Sequence, residues 1–441
     1  MEKVQNFLVD NPLCQVFLKK EKGRLPYSVF KPHAEKVCFL KSIFDKRPPT
    51  AFFPYPKYTK KTRDCDRTRA YSQDEVEQLF MAFRINDSTH IYNAVVNAFK
   101  NAGFQMIEKS NNWNVVWTGY TKYEDIRELN KYQKINHFPG SIQLGRKDLL
   151  WKNMFRVKQK FGKELDITPT TYLFPGDYNQ FLLDRENEDN NVLYILKPVA
   201  SSCGRGIKVV GKKTKVPRRD GFLASKYVAH PHLINGFKYD LRVYVLVTSF
   251  DPLRIYVFND GLVRFATEQY TLNPNDLKKR FIHLTNFSVN KKSENFVDNK
   301  GTGEGEESSS KWSFKTLRKA YEENEINYDY VFAQVKDVIV KTLISVEPHV
   351  VSNLNKSSGN KNACFELYGF DILIDETLKP WLLEVNVLPS LSSSSPFDKI
   401  VKTLLICDVL TLIGVRGYDK KKVNSGPEEE KRNGSKLYLI I

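Results

Sequence analysis

The chain holds little of what metal clusters, disulfide frameworks or membrane spans are made from. Its six cysteines, Cys14, Cys38, Cys65, Cys203, Cys364 and Cys407, are scattered through 441 residues, and no two stand at CxxC spacing. That pattern suggests neither a zinc ribbon nor a disulfide scaffold, and a reducing cytoplasm is the expected setting. Histidine is scarce, and the close pair His230 and His232 has no cysteine or third histidine nearby, so both read as loop residues rather than ligands. The longest apolar runs, such as Val243–Thr248 and Val409–Val415, fall far short of the roughly 20 residues that cross a bilayer, so no membrane partner is expected. The opening segment MEKVQNFLVDNP lacks the apolar core of a signal peptide. Nucleophile motifs are missing too: there is no GxSxG, no HExxH and no family-spaced Cys/His pairing. Catalysis, if any, is expected to work by positioning and electrostatics rather than through a covalent side-chain intermediate.

Acid is also in deficit. Against 51 Asp and Glu stand 68 Lys and Arg, a formal net charge of +17. A balance that basic implies an acidic partner. No RNA-recognition signature, zinc finger or heptad-linked basic region is present, so nucleic acid is not the expected one. Two basic clusters, Lys57 to Arg69 and Lys208 to Arg219, are candidates to steer an acidic chain; solvated charge is the ordinary fate of such runs.

The length implies two or three domains. Residues 1–70 form a basic, Pro-rich segment with little regular structure expected. Residues 71–130 read as a small α/β unit, with helical periodicity over HIYNAVVNAFKNA, a stop at Gly103, and strands in FQMIEK and WNVVWTG. Residues 131–220 form a central unit ending in the strand VLYILKP, the loop ASSCGRG and the strand IKVV. Residues 221–415 form the largest unit, with strands DLRVYVLVT and LRIYVF, a helix near 328–345 and a hairpin over 366–386. The polar stretch ENFVDNKGTGEGEESSS reads as a mobile loop, and 416–441 as a charged tail.

The hairpin FELYGFDILIDETLKPWLLEVN is the most informative segment. Glu384 and Asn386 are two apart, so a strand points them to one face. A turn near Thr377 and Leu378 places Asp371 opposite Glu384, while Leu383 and Val385 face a core. Two carboxylates and an amide oxygen on one face suit Mg²⁺, which takes oxygen ligands and shares phosphate oxygens; a half-exposed hairpin with two solvated acids is the plain alternative. Lys197 ends an apolar strand and can meet phosphate as a point charge. Gly204 and Gly206 in the loop that follows let backbone N–H groups approach an anion, although a simple glycine turn would look the same. On DLRVYVLVT, Asp240, Arg242 and Tyr244 share one face, with Leu241, Val243 and Val245 toward a core. Arg242 is a candidate to stabilise developing charge, and Arg264 projects from the next strand.

In order and spacing these pieces resemble the tubulin–tyrosine ligase-like family, and the wording is closest to its glutamylating branch. The strings that carry the resemblance are INHFPGSIQLGRKDLLWKN, KPVASSCGRGI, YVAHPHLINGFKYDLRVYVLVTSFDPLRIYVFNDGLVRFAT, IHLTNFSVNKKSENF, SKWS, and FELYGFDILIDETLKPWLLEVNVLPSLSSSSPFDKIVK. Together they lie between residues 90 and 415. The combination is specific, although no single piece is. The resemblance implies an ATP-grasp-like α/β (α+β) fold with a small N-terminal α/β domain, a central domain and a larger C-terminal domain. It implies a tubulin polyglutamylase that uses ATP and Mg²⁺ to join free L-glutamate to glutamate side chains in acidic tubulin tails, through an acyl phosphate.

Residue by residue, the resemblance assigns Lys197, Cys203, Gly204, Arg205, Gly206 and Ile207 to the phosphates. It assigns Ser225, Lys226, Tyr227 and Val228 to the adenine edge, and Lys238, Tyr239, Asp240, Thr285 and Asn286 to further nucleotide contacts. Asp371, Glu384 and Asn386 match Mg²⁺ ligands. Arg264, Phe287, Ser288, Lys311 and Lys402 match positions that hold free glutamate; Arg242 and Lys197 are the catalytic candidates. Lys402 lies on a helix expected to begin with Ser395 as cap and Pro396 in its first turn. Ser225, Phe287 and Cys203 depart from the residues common in the family. A monomer is expected, in the cytoplasm on the microtubule cytoskeleton, with cilium or basal body resting on the family alone. The rivals are a glycine or tyrosine ligase of the same family, a small-molecule ATP-grasp ligase, and a non-catalytic microtubule-binding protein. Arg264 and Lys311 argue for glutamate, since without its side-chain carboxylate they would be buried unpaired.

Overall fold

The computed structural model describes residues 37–42, 48–62, 68–71, 79–86, 91–108, 112–201, 204–299, 308–357, 360 and 362–419. The expectations for residues 1–36 and 420–441, for the centre of the Gly/Ser-rich loop (300–307) and for Cys203 lie outside them.

Near the N-terminus, Val37–Leu40 pairs antiparallel with both Thr50–Ala51 and Thr68–Tyr71. Part of the segment expected to be irregular is therefore a three-stranded sheet; its strands of two to four residues are too short to show a period. The α/β unit is a parallel sheet in the order Gln105–Met106, Ala82–Ile85, Val115–Trp117, Lys134–Ile135, so it runs a few residues past 130. The helix Asn93–Asn101 is the crossover between its first two strands in sequence, and it buries Val95, Ala98 and Phe99 at helical spacing. Gly103 follows at φ +86, where a Cβ would lie 2.4 Å from Val37 Cγ2, so glycine is required there. These two sheets share one apolar cluster with the helix Pro396–Leu412 through Phe53, Phe83, Phe99, Phe397, Val401 and Leu405. Beyond 415 the chain returns as Tyr418–Asp419 to pair with Leu79–Phe80.

The site is built from two further sheets. The smaller has β1 (Thr171–Leu173), β2 (Tyr194–Pro198), β3 (Lys208–Val210) and β4 (Phe222–Lys226), antiparallel in the order β3-β2-β4-β1. It thus continues past the boundary expected at 220. The larger has β5 (Phe237–Phe250), β6 (Leu253–Phe265), β7 (Lys311–Trp312), β8 (Glu366–Ile374) and β9 (Pro380–Asn386) in the antiparallel order β7-β6-β5-β8-β9. Both faces of the larger sheet are covered. Tyr239, Leu241, Val243, Val245 and Val247 of β5 share a cluster with Val331, Val335, Val338 and Ile339 of the helix Tyr328–Ser357. Tyr244 and Leu246, with the opposite parity, pack with the helix Pro396–Leu412. Full burial of each such aliphatic side chain stabilises by about 1.5–3 kcal/mol, which makes the sheet a rigid platform for the charged residues it carries.

Candidate active site

A cleft of about 860 Å³, its open mouth included, lies between the two sheets. One wall comes from β2 and β4, with Ile195, Lys197, Ser225, Lys226, Tyr227 and Val228. The other comes from β5 and the β8–β9 hairpin, with Lys238, Asp240, Asp371, Leu373, Leu383 and Glu384. Gly204, Arg205 and Ile207 of the glycine loop close one side, opposite Thr285 and Asn286. The residues matched to a nucleotide site from sequence therefore converge, with two qualifications. Gly206 lies in the same loop at φ +73, where a Cβ would meet Pro198 Cγ at 2.8 Å. Tyr239 does not face the cleft: its hydroxyl is 2.5 Å from Tyr321 Oη and 2.9 Å from His232 Nδ1, deep in the core. Strand alternation, which sends Lys238 and Asp240 one way, sends Tyr239 the other.

The glycines in the loop are dictated by contact. Gly204 has φ +68, and a Cβ there would stand 2.9 Å from Asn286 Oδ1. Arg280 Nη2 donates to Gly204 O at 2.6 Å and ties the loop to the opposite wall. Lys238 is enclosed: its Nζ donates to Tyr227 Oη at 2.8 Å and lies 4.3 Å from the centre of that ring. Burial pushes its pKa down to about 7, with Asp240 opposing and Lys197 adding to the fall. Burial also lowers the pKa of Lys197, against the pull of Glu384.

Asp371 on β8 is the register partner of Glu384 on β9, as the sequence led one to expect, but by a different route. The hairpin pairs Ile372 with Leu382 and then skips a residue. Leu383 is the extra residue of this bulge, and it lines the cleft instead of facing the core as expected from alternation. Val385, by contrast, is core. Without the bulge, Asp371 would oppose Leu383. Asp371 accepts from Arg242 Nε at 2.5 Å and Nη2 at 3.1 Å, and Arg264 Nη2 lies 3.0 Å from its Oδ2. Burial alone would raise its pKa; the two guanidiniums outweigh that and hold it well below the usual carboxylate range. Glu384 pairs with Lys147 Nζ at 3.2 Å. Asn386 turns its Nδ2 toward Gly369 O and Asp371 Oδ2, at 3.3 and 3.4 Å.

Among the described residues no three His, Cys, Asp or Glu side chains are grouped to hold a metal ion. The pair Asp371 and Glu384 nevertheless has the chemistry of a Mg²⁺ locus. Two carboxylates on adjacent strands face one cleft beside Lys197, and the chain's own Arg242 and Lys147 supply their counter-charge. An oxygen donor set with room for phosphate oxygens and water fits that ion.

Beside this pair lies a buried cationic cluster. Cross-strand register sets Lys311 beside Arg264 and Arg264 beside Asp240, while Arg242 stands beside Asp371. Arg264 Nε donates to Asp240 Oδ1 at 2.7 Å, and its Nη2 reaches both Asp240 Oδ2 and Asp371 Oδ2. Lys311 Nζ contacts Asp398 Oδ2 at 2.9 Å and Ser394 Oγ at 3.0 Å, and lies 3.7 Å from the centre of the Phe287 ring. Lys402 donates to Ser392 O and lies 3.7 Å from Asp398 Oδ2. Ser288 follows Phe287 in the short helix Phe287–Asn290. The helix that carries Lys402 starts as expected, with Ser395 Oγ accepting from Asp398 N and Pro396 first.

Contrary to the expectation from sequence, Arg264 and Lys311 are not unpaired without a substrate carboxylate: Asp240, Asp371 and Asp398 already pair them. Asp398 was missed in the sequence, although its position four residues before Lys402 and three after Ser395 was a usable signal. Lys147, Arg280 and His283, which lines the cleft with its Nδ1 3.0 Å from Tyr227 Oη, were also missed, and nothing local marks them.

Two sheets enclosing a cleft with a glycine loop, a buried lysine and paired carboxylates define an ATP-grasp-like ligase architecture. The chain belongs to the tubulin-tyrosine ligase family, whose sequence pattern matches residues 124–423. It is 40% identical over 378 residues to human "Tubulin monoglutamylase TTLL4", an alignment covering 86% of this chain and 30% of that protein. It is 41% identical over 358 residues to human "Tubulin polyglutamylase TTLL6", covering 80% and 39%, and 41% identical over 315 residues to human "Tubulin polyglutamylase TTLL5", covering 71% and 24%. The chain thus spans well under half the length of these relatives. No helix among the described residues is long and apolar enough to cross a membrane.

Proposed function

We propose that this protein ligates free L-glutamate to the γ-carboxylate of glutamates in tubulin C-terminal tails, at the expense of ATP and with Mg²⁺. The observation that carries the choice of amino acid is the charge of the buried cluster. Arg264, Lys311 and Lys402 bring three cations into one buried cluster. Free glutamate offers them two carboxylates, whereas glycine and tyrosine offer one, and glutamylase names among the relatives agree with this reading.

On this reading Lys197 and the backbone of Gly204 to Ile207 grip the phosphates, including the N–H of Arg205. Ser225 to Val228, Lys238, Asp240, Thr285 and Asn286 surround the base and sugar. ATP, when bound, supplies the phosphoryl group that activates the acceptor carboxylate. Asp371 and Glu384, with Asn386 beside them, would hold Mg²⁺, which neutralises phosphate charge. Arg242 stabilises the charge that develops on the carboxylate oxygens. Arg264, Lys311 and Lys402, with Phe287 and Ser288 beside them, orient the two carboxylates of glutamate so that its amine faces the activated carbon. The exposed cations Lys213, Lys215, Arg218 and Arg219 beyond β3, and Lys57, Lys60 and Lys61, are available to an acidic tail. A monomer acting in the cytoplasm on microtubules, including those of cilia and basal bodies, is the setting this implies.

The test is incorporation of labelled amino acid into unmodified tubulin, with tail-truncated tubulin as control. Label from glutamate, dependent on ATP, Mg²⁺ and the tail, is the expected result. Label from glycine or tyrosine instead would overturn the choice of amino acid.

A further inference from the structure

Asp398 occupies the third position of the helix Pro396–Leu412, with its side chain turned into the cationic cluster. It is 2% exposed. Its Oδ2 collects all of its donors: Ser394 Oγ at 2.7 Å, Lys311 Nζ at 2.9 Å, Ser394 N at 3.3 Å and Lys402 Nζ at 3.7 Å. Its Oδ1 is buried and has no hydrogen-bond partner among the described residues. An orphaned carboxylate oxygen is costly where water is excluded, so this acid is not explained by stability alone.

The two lysines it joins come from separate parts of the chain, Lys311 from β7 and Lys402 from one turn further along the same helix. Two ammonium groups buried side by side repel, and a carboxylate that contacts both offsets that repulsion. We propose that Asp398 is a positioning residue of the amino-acid site, holding the ammonium groups of Lys311 and Lys402 at fixed spacing to receive the carboxylates of the incoming amino acid. This inference rests on the function proposed above.

The charged groups that face Lys402 are Asp398 on its own helix, Lys311 on β7 and Arg242 on β5. Burial pushes the Lys402 pKa down to about 8; Asp398 opposes the fall, and Lys311 and Arg242 add to it. Removing Asp398 removes the one opposing charge, so Lys402 then loses its proton at lower pH. An acid that merely competed with substrate for the lysines would have the opposite effect: its removal would tighten glutamate binding. The two signs separate the ideas.

The experiment is steady-state kinetics with glutamate and ATP varied separately from pH 6.5 to 9, on the full chain and on D398N and D398E, with thermal melts of each. The expected result for D398N at pH 8 is a glutamate KM raised about tenfold, roughly the loss of one charged hydrogen bond, with the ATP KM within about twofold. The alkaline rise in glutamate KM should begin at lower pH than in the unaltered protein, and D398E should restore much of the affinity. If D398N does not fold, D398E carries the test, with a smaller rise confined to glutamate. A glutamate KM that is unchanged or lower overturns the inference, as does a parallel rise in both KM values with a lowered melting temperature. If the unaltered protein transfers glutamate while D398N matches it, the proposed function stands and this inference falls. If the unaltered protein transfers no amino acid, the function itself falls, and the inference with it.

Discussion

Asp371 and Glu384 face each other across β8 and β9 because Leu383 bulges between the two registers of the hairpin. Each is neutralised by a cation from outside the hairpin, Arg242 for Asp371 and Lys147 for Glu384. Glu384→Gln keeps the shape and removes one charge. Activity should fall by at least about 100-fold, on the scale of losing a metal-site interaction, while the melting temperature holds because Glu384 is part-exposed and only Lys147 loses a partner. Full activity with Mg²⁺ in this variant would remove the pair from the metal site.

Arg264 joins Asp240 and Asp371 in the interior of the larger sheet. Arg264→Ala strands the buried carboxylate of Asp240 and leaves Asp371 to Arg242 alone, and breaking a buried pair costs about 3–5 kcal/mol. Denaturant unfolding should show a loss of that order, alongside a raised glutamate KM. A variant as stable as the parent would mean that Asp240 finds another partner.

Lys238 gives the nucleotide-free protein a pH dependence of definite sign. Its native pKa of about 7 lies below the roughly 10.4 of an unfolded lysine. Between those values the unfolded chain binds the extra proton, so this residue makes stability rise with pH, by up to about 1.4 kcal/mol per unit. Lys238→Met should flatten the stability profile between pH 7 and 10 relative to the parent. Parallel profiles for the two proteins would show that Lys238 stays charged.

Gly206 has φ +73 and no room for a Cβ beside Pro198. Gly206→Ala should strain the loop by about 1 kcal/mol or more and raise the ATP KM at least about fivefold, leaving the glutamate KM near its parent value. Calorimetric titration with nucleotide checks this directly; equal nucleotide affinity would place the phosphates elsewhere.

What could be read from the sequence was local. Alternation along DLRVYVLVT separates Asp240 and Arg242 from Leu241 and Val243, and the structure keeps that division. Helix periodicity found Asn93–Asn101, and the cap at Ser395 was legible from Ser-Pro. Tyr239 was misread because it was carried along with its neighbours, although the same alternation turns it away. The bulge at Leu383 leaves no mark in an apolar run. The pairing of Lys311 was not legible, because its partner Asp398 lies on a different element. Lys147 meets Glu384 only once the helix Lys147–Phe161 is docked against the hairpin, and such long-range pairing has no local signature.

The most direct test of the central claim is mass spectrometry of unmodified tubulin incubated with the protein, ATP, Mg²⁺ and, in separate reactions, glutamate, glycine or tyrosine. The account predicts added mass only with glutamate, mapped to glutamate side chains of the C-terminal tails; the mapped positions also tell whether branches are begun or lengthened. Added mass with glycine or tyrosine, or none with any of the three, would contradict it.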